Sequence, residues 1–385
     1  MRITFLGPAY PYRGGLAAFN ERLAREFSSE GKDADIRTFR LQYPKFLFPG
    51  KSQFTESPPP EGIRIIRLLN SINPFNWIYT GLKIKRERPD ILLVRYWIPF
   101  MAPALGTVAR IVKSNNYTIV ISIIDNVIPH EKRIGDKILT KYFIRSLNGA
   151  VVMSNTVLFD LKPFRKDFPV NLCLHPLFDN YGKIVNKSEA LAALNLDPAY
   201  SYLLFFGFIR EYKGLDLLIK AFSDKRLRKQ NLKLIIAGEF YENEAPYKNL
   251  VREFKLENEV LIYNHFIKDS EVALFFSAAD LVVQPYKTAT QSGITQIAFH
   301  FEKPVIVTDV GGLKEIVTDR KSGYVVKPDP DEVAEAIFDF FDNNRNSAFI
   351  KGIKQEKEKF SWNKMTASII EVFYKCLLEQ LINAM

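Results

Sequence analysis

Along 385 residues, brief apolar runs rich in β-branched and aromatic side chains alternate with longer amphipathic stretches, and the pattern occurs twice. The first set is Ile3–Leu6, Ile36–Phe39, Ile63–Leu68, Ile91–Arg95, Thr118–Ile124 and Ala150–Met153. The second is Tyr202–Phe206, Leu232–Ala237, Val260–Tyr263, Leu281–Val283, Pro304–Thr308 and Tyr324–Val326. Runs of this kind mark strands buried on both faces, and helical patterns such as Leu16–Phe27, Leu215–Phe222 and Ser270–Ala278 separate them. A parallel partner strand is reached only by a crossover, so the alternation implies parallel sheets with helices on both faces. Two sets predict two doubly wound α/β domains. Strand character lapses over HPLFDNYGKIVNKSE, which begins at His175, and this places the expected domains at residues 1–178 and 179–358. Asn363–Ile382 follows the aromatic pair Phe360 and Trp362 as a long helical pattern, so residues 359–385 are expected to brace the two domains.

Composition removes several function classes. A hydrophobic content of 47% with 31 Phe supports packed cores rather than disorder. No apolar stretch is long enough to span a bilayer, and Met1–Gly7 is too short for a secretory signal. Cys173 and Cys376 make neither a metal pattern nor a disulfide framework, which points to a reducing, cytoplasmic setting. Residues 1–175 hold 26 Lys or Arg against 14 Asp or Glu, so the whole net charge of +10 originates in the first half. Such a patch attracts polyanions. No zinc-finger or RNP-type motif favours nucleic acid, which is not expected as a partner.

The stretch FFGFIREYKG leaves a core strand with two glycines and two cations, Arg210 and Lys213, and runs directly into the helical pattern LDLLIKAF. Ligands of doubly wound sheets sit beyond the carboxyl ends of the strands, and Gly207 permits a sharp turn and close backbone approach there. Arg grips phosphate through paired hydrogen bonds and Lys supplies a mobile charge. Two solvated loop cations are the competing reading. A second polar turn, Thr290-Gln291-Ser292-Gly293, opens a helix near Ile294, whose first N–H groups favour an anion. Ser292 also suits a simple N-cap. Gly14 and Gly15 stand at a third strand-to-helix turn, in PYRGG, without a complete G-x-G-x-x-G.

The order Gly14-Gly15, GFIREYKG, QSGITQIAFHFEKPVIVTDVGGLKEIV and a Trp-containing terminal helix resembles the retaining GT-B glycosyltransferases of the "group 1" type, glycosyltransferase family 4. The likeness covers nearly the full chain. It implies GT-B architecture: two Rossmann-like domains facing a central cleft, with the donor held mainly by the second. By matching positions, Arg210 and Lys213 neutralise the diphosphate of a nucleotide sugar and the backbone at Gly293 and Ile294 binds it too. The donor base lies against Phe266 and Ile267, and the acceptor approaches from the first domain. No cofactor or essential metal is implied, since Arg210 and Lys213 take the place of Mg²⁺. Asp33-Ala34-Asp35 and Asp329-Pro330-Asp331 mimic a D-x-D motif but are expected in turns and caps.

The chain departs from the family at a Glu pair spaced by seven residues, having Ala289/Thr290 and Ile297/Ala298 there. Thr290, Gln291 and Ser292 are candidates to take over contacts to the donor sugar. In the first domain Asp125 and Asn126 stand where many relatives have His-Asn or His-Asp, with His130 and Glu131 in the same loop. Asp125 suits a contact to the sugar or acceptor hydroxyl, or a base, and equally a turn cap. Trp77, Ile78, Tyr79, Leu82 and Ile84 alternate with basic residues through Arg88, a pattern for an anionic membrane surface or for ordinary core packing. The expectation is a cytoplasmic glycosyltransferase, peripheral at the inner face of the membrane. It moves a sugar from a nucleotide-diphosphate donor to a glycan or lipid-linked glycan of surface polysaccharide synthesis. A nucleotide-sugar epimerase and a non-catalytic nucleotide-sugar-binding homologue are the alternatives on the same fold.

Overall fold

A computed structural model describes residues 1–48, 50–129 and 133–384. The first unit comprises Met1–His175 together with Ser361–Met385, and the second Pro176–Phe360. The boundary therefore falls three residues before the expected one. The terminal segment is part of the first unit.

In the first unit the strands are β1 (Arg2–Leu6), β2 (Asp33–Leu41), β3 (Arg64–Asn70), β4 (Ile91–Tyr96), β5 (Ile119–Ile124), β6 (Gly149–Val152) and β7 (Val170–Leu172). They form one parallel sheet in the order β3-β2-β1-β4-β5-β6-β7. The connecting helices are α1 (Gly15–Ser29), α2 (Pro74–Glu87), α3 (Ala102–Lys113), α4 (Asp136–Ile144) and α5 (Asn155–Leu161). Every residue of β4 and β5 is buried, as expected of central strands covered on both faces. Edge strand β7 is a strand the sequence does not announce: it has three residues, follows Pro169 and carries Asn171 at its centre. Asp33 and Asp35 were expected in a turn and instead lie in β2, where Asp35 is buried in ion pairs with Arg37 and Arg2. Ile84 of α2 is wholly buried in the core and half-buried Trp77 packs against it, its indole N–H donating to the Asn70 carbonyl at 2.7 Å. Ile78, Tyr79 and Leu82 are exposed.

The second unit has helices α6 (Lys187–Ala193), α7 (Leu215–Phe222), α8 (Ala245–Glu253), α9 (Asp269–Ala278), α10 (Gly293–His300), α11 (Leu313–Ile316), α12 (Pro330–Asp342) and α13 (Asn346–Glu356). Its strands are β8 (Ser201–Phe206), β9 (Leu232–Ala237), β10 (Val260–Tyr263), β11 (Leu281–Gln284), β12 (Val305–Thr308) and β13 (Gly323–Val326). The order β10-β9-β8-β11-β12-β13 is that of a Rossmann sheet, with its topological switch point between β8 and β11. Asp329 caps α12 as expected, accepting from the N–H groups of Asp331 and Glu332.

The last helix, α14 (Trp362–Ala384), packs against β5, β6, β7 and α1 of the first unit. Among the described residues no helix is long and apolar enough to cross a membrane. Gly149 of β6 is what lets α14 lie close to the sheet: a Cβ there would stand 2.5 Å from Val372 Cγ1 and 2.9 Å from Cys376 Sγ. Gly149→Ala is expected to lower unfolding stability by about 1–3 kcal/mol through overpacking, measured by denaturant titration. An unchanged midpoint would contradict this packing.

Candidate functional site

In the second unit the backbone beyond β8 is built on close glycine contacts. Gly207 has φ +101°, and a Cβ on Gly238, at the end of neighbouring β9, would lie 2.0 Å from the Gly207 carbonyl oxygen. The chain then makes one short turn, Glu211–Lys213, and Gly214 (φ +69°) presses against the Pro285 carbonyl, where a Cβ would come within 1.9 Å. No other residue meets both the left-handed conformation and that contact. The turn folds Lys213 back over the strand end, so that its Nζ stands 3.2 Å from where a Cβ on Gly207 would be. Ile294 Cδ1 stands 3.3 Å from the same point. Gly207, Lys213 and the first turn of α10, far apart in sequence, thus meet at the switch point between β8 and β11.

The electrostatics of that meeting point are distinctive. Burial, reinforced by the charge of Arg210, pushes the Lys213 ammonium down to about 8 from its ordinary 10.5. Among the described residues no carboxylate pairs with Lys213; the ring of Tyr286 lies 5.6 Å from its Nζ. Lys287 in the adjoining loop is different, since it pairs with Asp216 at 3.0 Å. The Arg210 guanidinium carbon lies 5.3 Å from the Tyr241 ring centre. A buried cation without an anion is costly, and it is relieved by a ligand carrying negative charge.

The loop between β11 and α10 is held by a second glycine contact. Gly311 (φ +52°) would place a Cβ 1.7 Å from the Ala289 carbonyl oxygen, and Gly312 N–H donates to the Thr290 carbonyl at 3.2 Å. Thr290 is buried, Gln291 half-buried. Ser292 is the N-cap: its Oγ accepts the Ile294 N–H at 3.2 Å and donates to Gln284 Oε1 at 2.5 Å. Gln284 in turn donates to Thr295 Oγ1 at 3.0 Å. The Ile294 N–H is thereby already accepted, so among the two expected backbone donors Gly293 is the one left at the helix end. Glycine is required at 293 by packing as well, because a Cβ would lie 2.7 Å from the Phe178 ring.

Phe266 and Ile267 lie where the sequence places them, after β10, with Ile267 buried and Phe266 half-buried. Two further aromatics join them. The Phe208 ring is 6.0 Å from Phe266 in a near-parallel stack and 4.4 Å from Tyr241. Both stand just past strand ends, Phe208 after β8 and Tyr241 after β9, a position that would have marked them.

At the switch point of the first unit, between β1 and β4, Gly14 (φ +103°) is the N-cap of α1 and Gly15 its first residue. Asp125 follows β5. Its oxygens accept from Arg95 Nε at 2.6 Å and Arg95 Nη2 at 2.5 Å, both side chains being buried. The Arg95 guanidinium carbon lies 3.9 Å from the centre of the Phe19 ring. A carboxylate so engaged holds Arg95 in place, which does not suit it to abstract a proton. Asn126 is half-buried, with Nδ2 3.4 Å from the Trp97 carbonyl oxygen. His175 packs edge-on against Phe19, the ring centres 5.0 Å apart. His130 and Glu131 lie outside the described residues.

Residues 186–356 match the family of glycosyl transferases group 1. An uncharacterized glycosyltransferase of Methanocaldococcus jannaschii is 31% identical over 177 residues, covering 45% of this chain and 48% of that protein. The lipopolysaccharide core biosynthesis mannosyltransferase of Rhizobium meliloti is 24% identical over 61% of this chain and 67% of its own. The chain thus spans about half the length of the first of these relatives and two thirds of the second. Among solved structures, Anabaena HepE in complex with UDP superposes with a TM-score of 0.74 at 16% identity, covering 97% of this chain and 100% of that one. That superposition agrees with the two Rossmann-like sheets, and the matched segment carries the Gly207–Lys213 turn and the start of α10. The second unit thus matches the model of the glycosyl transferases group 1 family over residues 186–356, and the chain has the GT-B fold.

Proposed function

We propose that the protein is a retaining glycosyltransferase that moves a sugar from a nucleotide-diphosphate donor to the hydroxyl of a glycan or lipid-linked glycan. The carrying observation is the Lys213 ammonium, half-buried, pushed down by desolvation and without a carboxylate partner among the described residues, between the Gly207 turn and the first turn of α10. A diphosphate supplies the missing negative charge, with Arg210 as a forked second donor and the Gly293 N–H at the helix end. The aromatic group of Phe208, Tyr241 and Phe266 offers faces for the nucleobase. HepE, of the same fold, is described with bound UDP, which supports a nucleotide donor. The Rhizobium mannosyltransferase acts in lipopolysaccharide core synthesis, which supports an acceptor in surface polysaccharide assembly at the cytoplasmic face of the membrane.

In the proposed reaction the acceptor oxygen bonds to the anomeric carbon on the face from which the diphosphate leaves. The bond from that carbon to the phosphate oxygen breaks, and the leaving phosphate takes the acceptor proton. Negative charge grows on the departing oxygens, and the fixed cations stabilise it without reorganisation. They provide the charge a metal would otherwise supply. Ser292 is committed to capping α10 and Asp125 to Arg95, so sugar selection falls to Thr290 and Gln291.

Two measurements test this. Arg210→Ala and Lys213→Ala are expected to lower kcat by about 10²–10³, with Arg210→Lys poorly rescued because a point charge lacks the fork. Uridine without phosphates, the nucleoside of the ligand bound by HepE, is expected to bind the parent and both variants alike. Transfer at near-parental rates in the alanine variants would overturn the assignment. The second measurement is pH dependence. Lys213 in the free protein loses its proton above about 8. Diphosphate binding retains it, so UDP affinity is expected to hold near neutrality and then fall by up to about tenfold per pH unit. Lys213→Arg is expected to flatten that fall, and an unaltered slope in the variant would contradict the proposal.

A further inference from the structure

The layer formed by α2, α3 and α4 over one face of the first-unit sheet carries exposed groups that the donor chemistry does not use. On α2, Phe75, Ile78, Tyr79 and Leu82 recur at helical spacing and are all exposed, Phe75 at 84%. On the α4 side, Ile134 in the preceding turn is fully exposed and Ile138 is 74% exposed. Helix α3 packs between α2 and α4, and its Arg110 lies over the Tyr142 ring of α4 at 3.8 Å. Cations accompany these apolar groups. Lys137, Lys141 and Arg145 follow one another at four-residue steps and are exposed. Over residues 74–88, 102–113 and 133–145 there are ten Lys or Arg against two acidic residues, Glu87 and Asp136. Glu87 is already paired with Arg37, and Asp136 accepts the Arg133 N–H.

We infer that this layer is a docking face for an anionic lipid bilayer, with the aromatic and isoleucine side chains entering the interface and the lysines and arginines meeting the headgroups. Charge complementarity selects this occupant. A row of cations that far outnumbers its acids repels a second copy of itself and suits a dense negative surface, while exposed isoleucines and phenylalanine need an apolar medium. A comparison within the chain supports the choice. The exposed residues Tyr374, Leu378, Leu381 and Ile382 of α14 form a similar apolar stripe, but Glu371 and Glu379 accompany it and no cationic row does. The inference rests on the surface-association part of the proposed function and is independent of the donor site. It moves the anchor from Trp77, which packs half-buried against the core, to Phe75, Tyr79 and the α4 side.

The test is sedimentation of the full chain with vesicles of phosphatidylcholine alone or with added phosphatidylglycerol. Binding is expected only with phosphatidylglycerol, with release at high salt. The double variants Phe75→Ser/Tyr79→Ser, Ile134→Ser/Ile138→Ser and Lys137→Glu/Lys141→Glu are each expected to weaken partitioning by at least about tenfold. Leu378→Ser/Ile382→Ser on α14 is expected to leave it unchanged. All these positions are exposed, and thermal melts and UDP titration of each variant separate loss of this face from loss of the fold or donor site. Three results would overturn the inference: equal binding to neutral vesicles, no binding, or parental binding by the α4 variants. So would a lipid-free dimer that Phe75→Ser/Tyr79→Ser dissociates, because the face would then belong to a second copy.

Discussion

One charged group sets the terms for the second unit: the half-buried Lys213 ammonium, pushed down by desolvation and by Arg210, and given no carboxylate in return among the described residues. Proteins pair such groups when their purpose is structural, as this chain pairs buried Arg95 with Asp125. Leaving Lys213 unpaired lowers the stability of the free protein and stores a preference for an anion. The cost is fully present below about pH 8, where the folded state must carry the charge. It fades as pH rises toward 10.5, where the unfolded chain holds more protons than the folded one.

Backbone contacts that only glycine allows hold that cation in place. Gly207 and Gly238 bring the ends of β8 and β9 together, Gly214 sets the turn against Pro285, and Gly311 seats the next turn against Ala289. Each joins the exit of one strand to the exit of a neighbour. Together they make a ring of strand ends around the switch point, with the start of α10 on one side and Lys213 on the other. The site is therefore a product of parallel-sheet topology as much as of its charged residues. A side chain added at Gly214, Gly238 or Gly311 would displace backbone rather than a flexible tip.

Much of this was legible in the residues themselves. Periodicity located the strands of both sheets because buried parallel strands are almost uninterrupted apolar runs; β9 and β10 coincide with their expected limits. It passed over β7, whose three edge residues include a polar centre, and it began β2 late, at Ile36 instead of Asp33, because the charge of Asp35 is neutralised by Arg37 inside the strand. The cations of FFGFIREYKG were visible as an anomaly, and the structure supplies the reason: their turn is folded back over the strand end. Pairings between distant residues could not be read. Nothing near Asp125 in the chain announces Arg95, thirty positions away. Nothing near Gly293 announces Phe178, whose ring explains that glycine without any ligand. The aromatic alternation of α2 was visible, but its division into half-buried Trp77 and exposed Phe75 depends on how the helix rolls onto α3.

The two units divide the tasks differently. The first places its unpaired features on the outside of a helical layer, where basic and apolar groups are interleaved; its own switch point is closed by a buried ion pair. The second places its unpaired charge at the carboxyl ends of its strands. The central claim, that Lys213 awaits a diphosphate, is tested most directly by a crystal structure of the protein with UDP. The account predicts phosphate oxygens at about 2.7–2.9 Å from Lys213 Nζ and from the Arg210 guanidinium, with the Gly293 N–H directed at the same group. A UDP whose phosphates lie elsewhere, with Lys213 Nζ touching no phosphate oxygen, would contradict it.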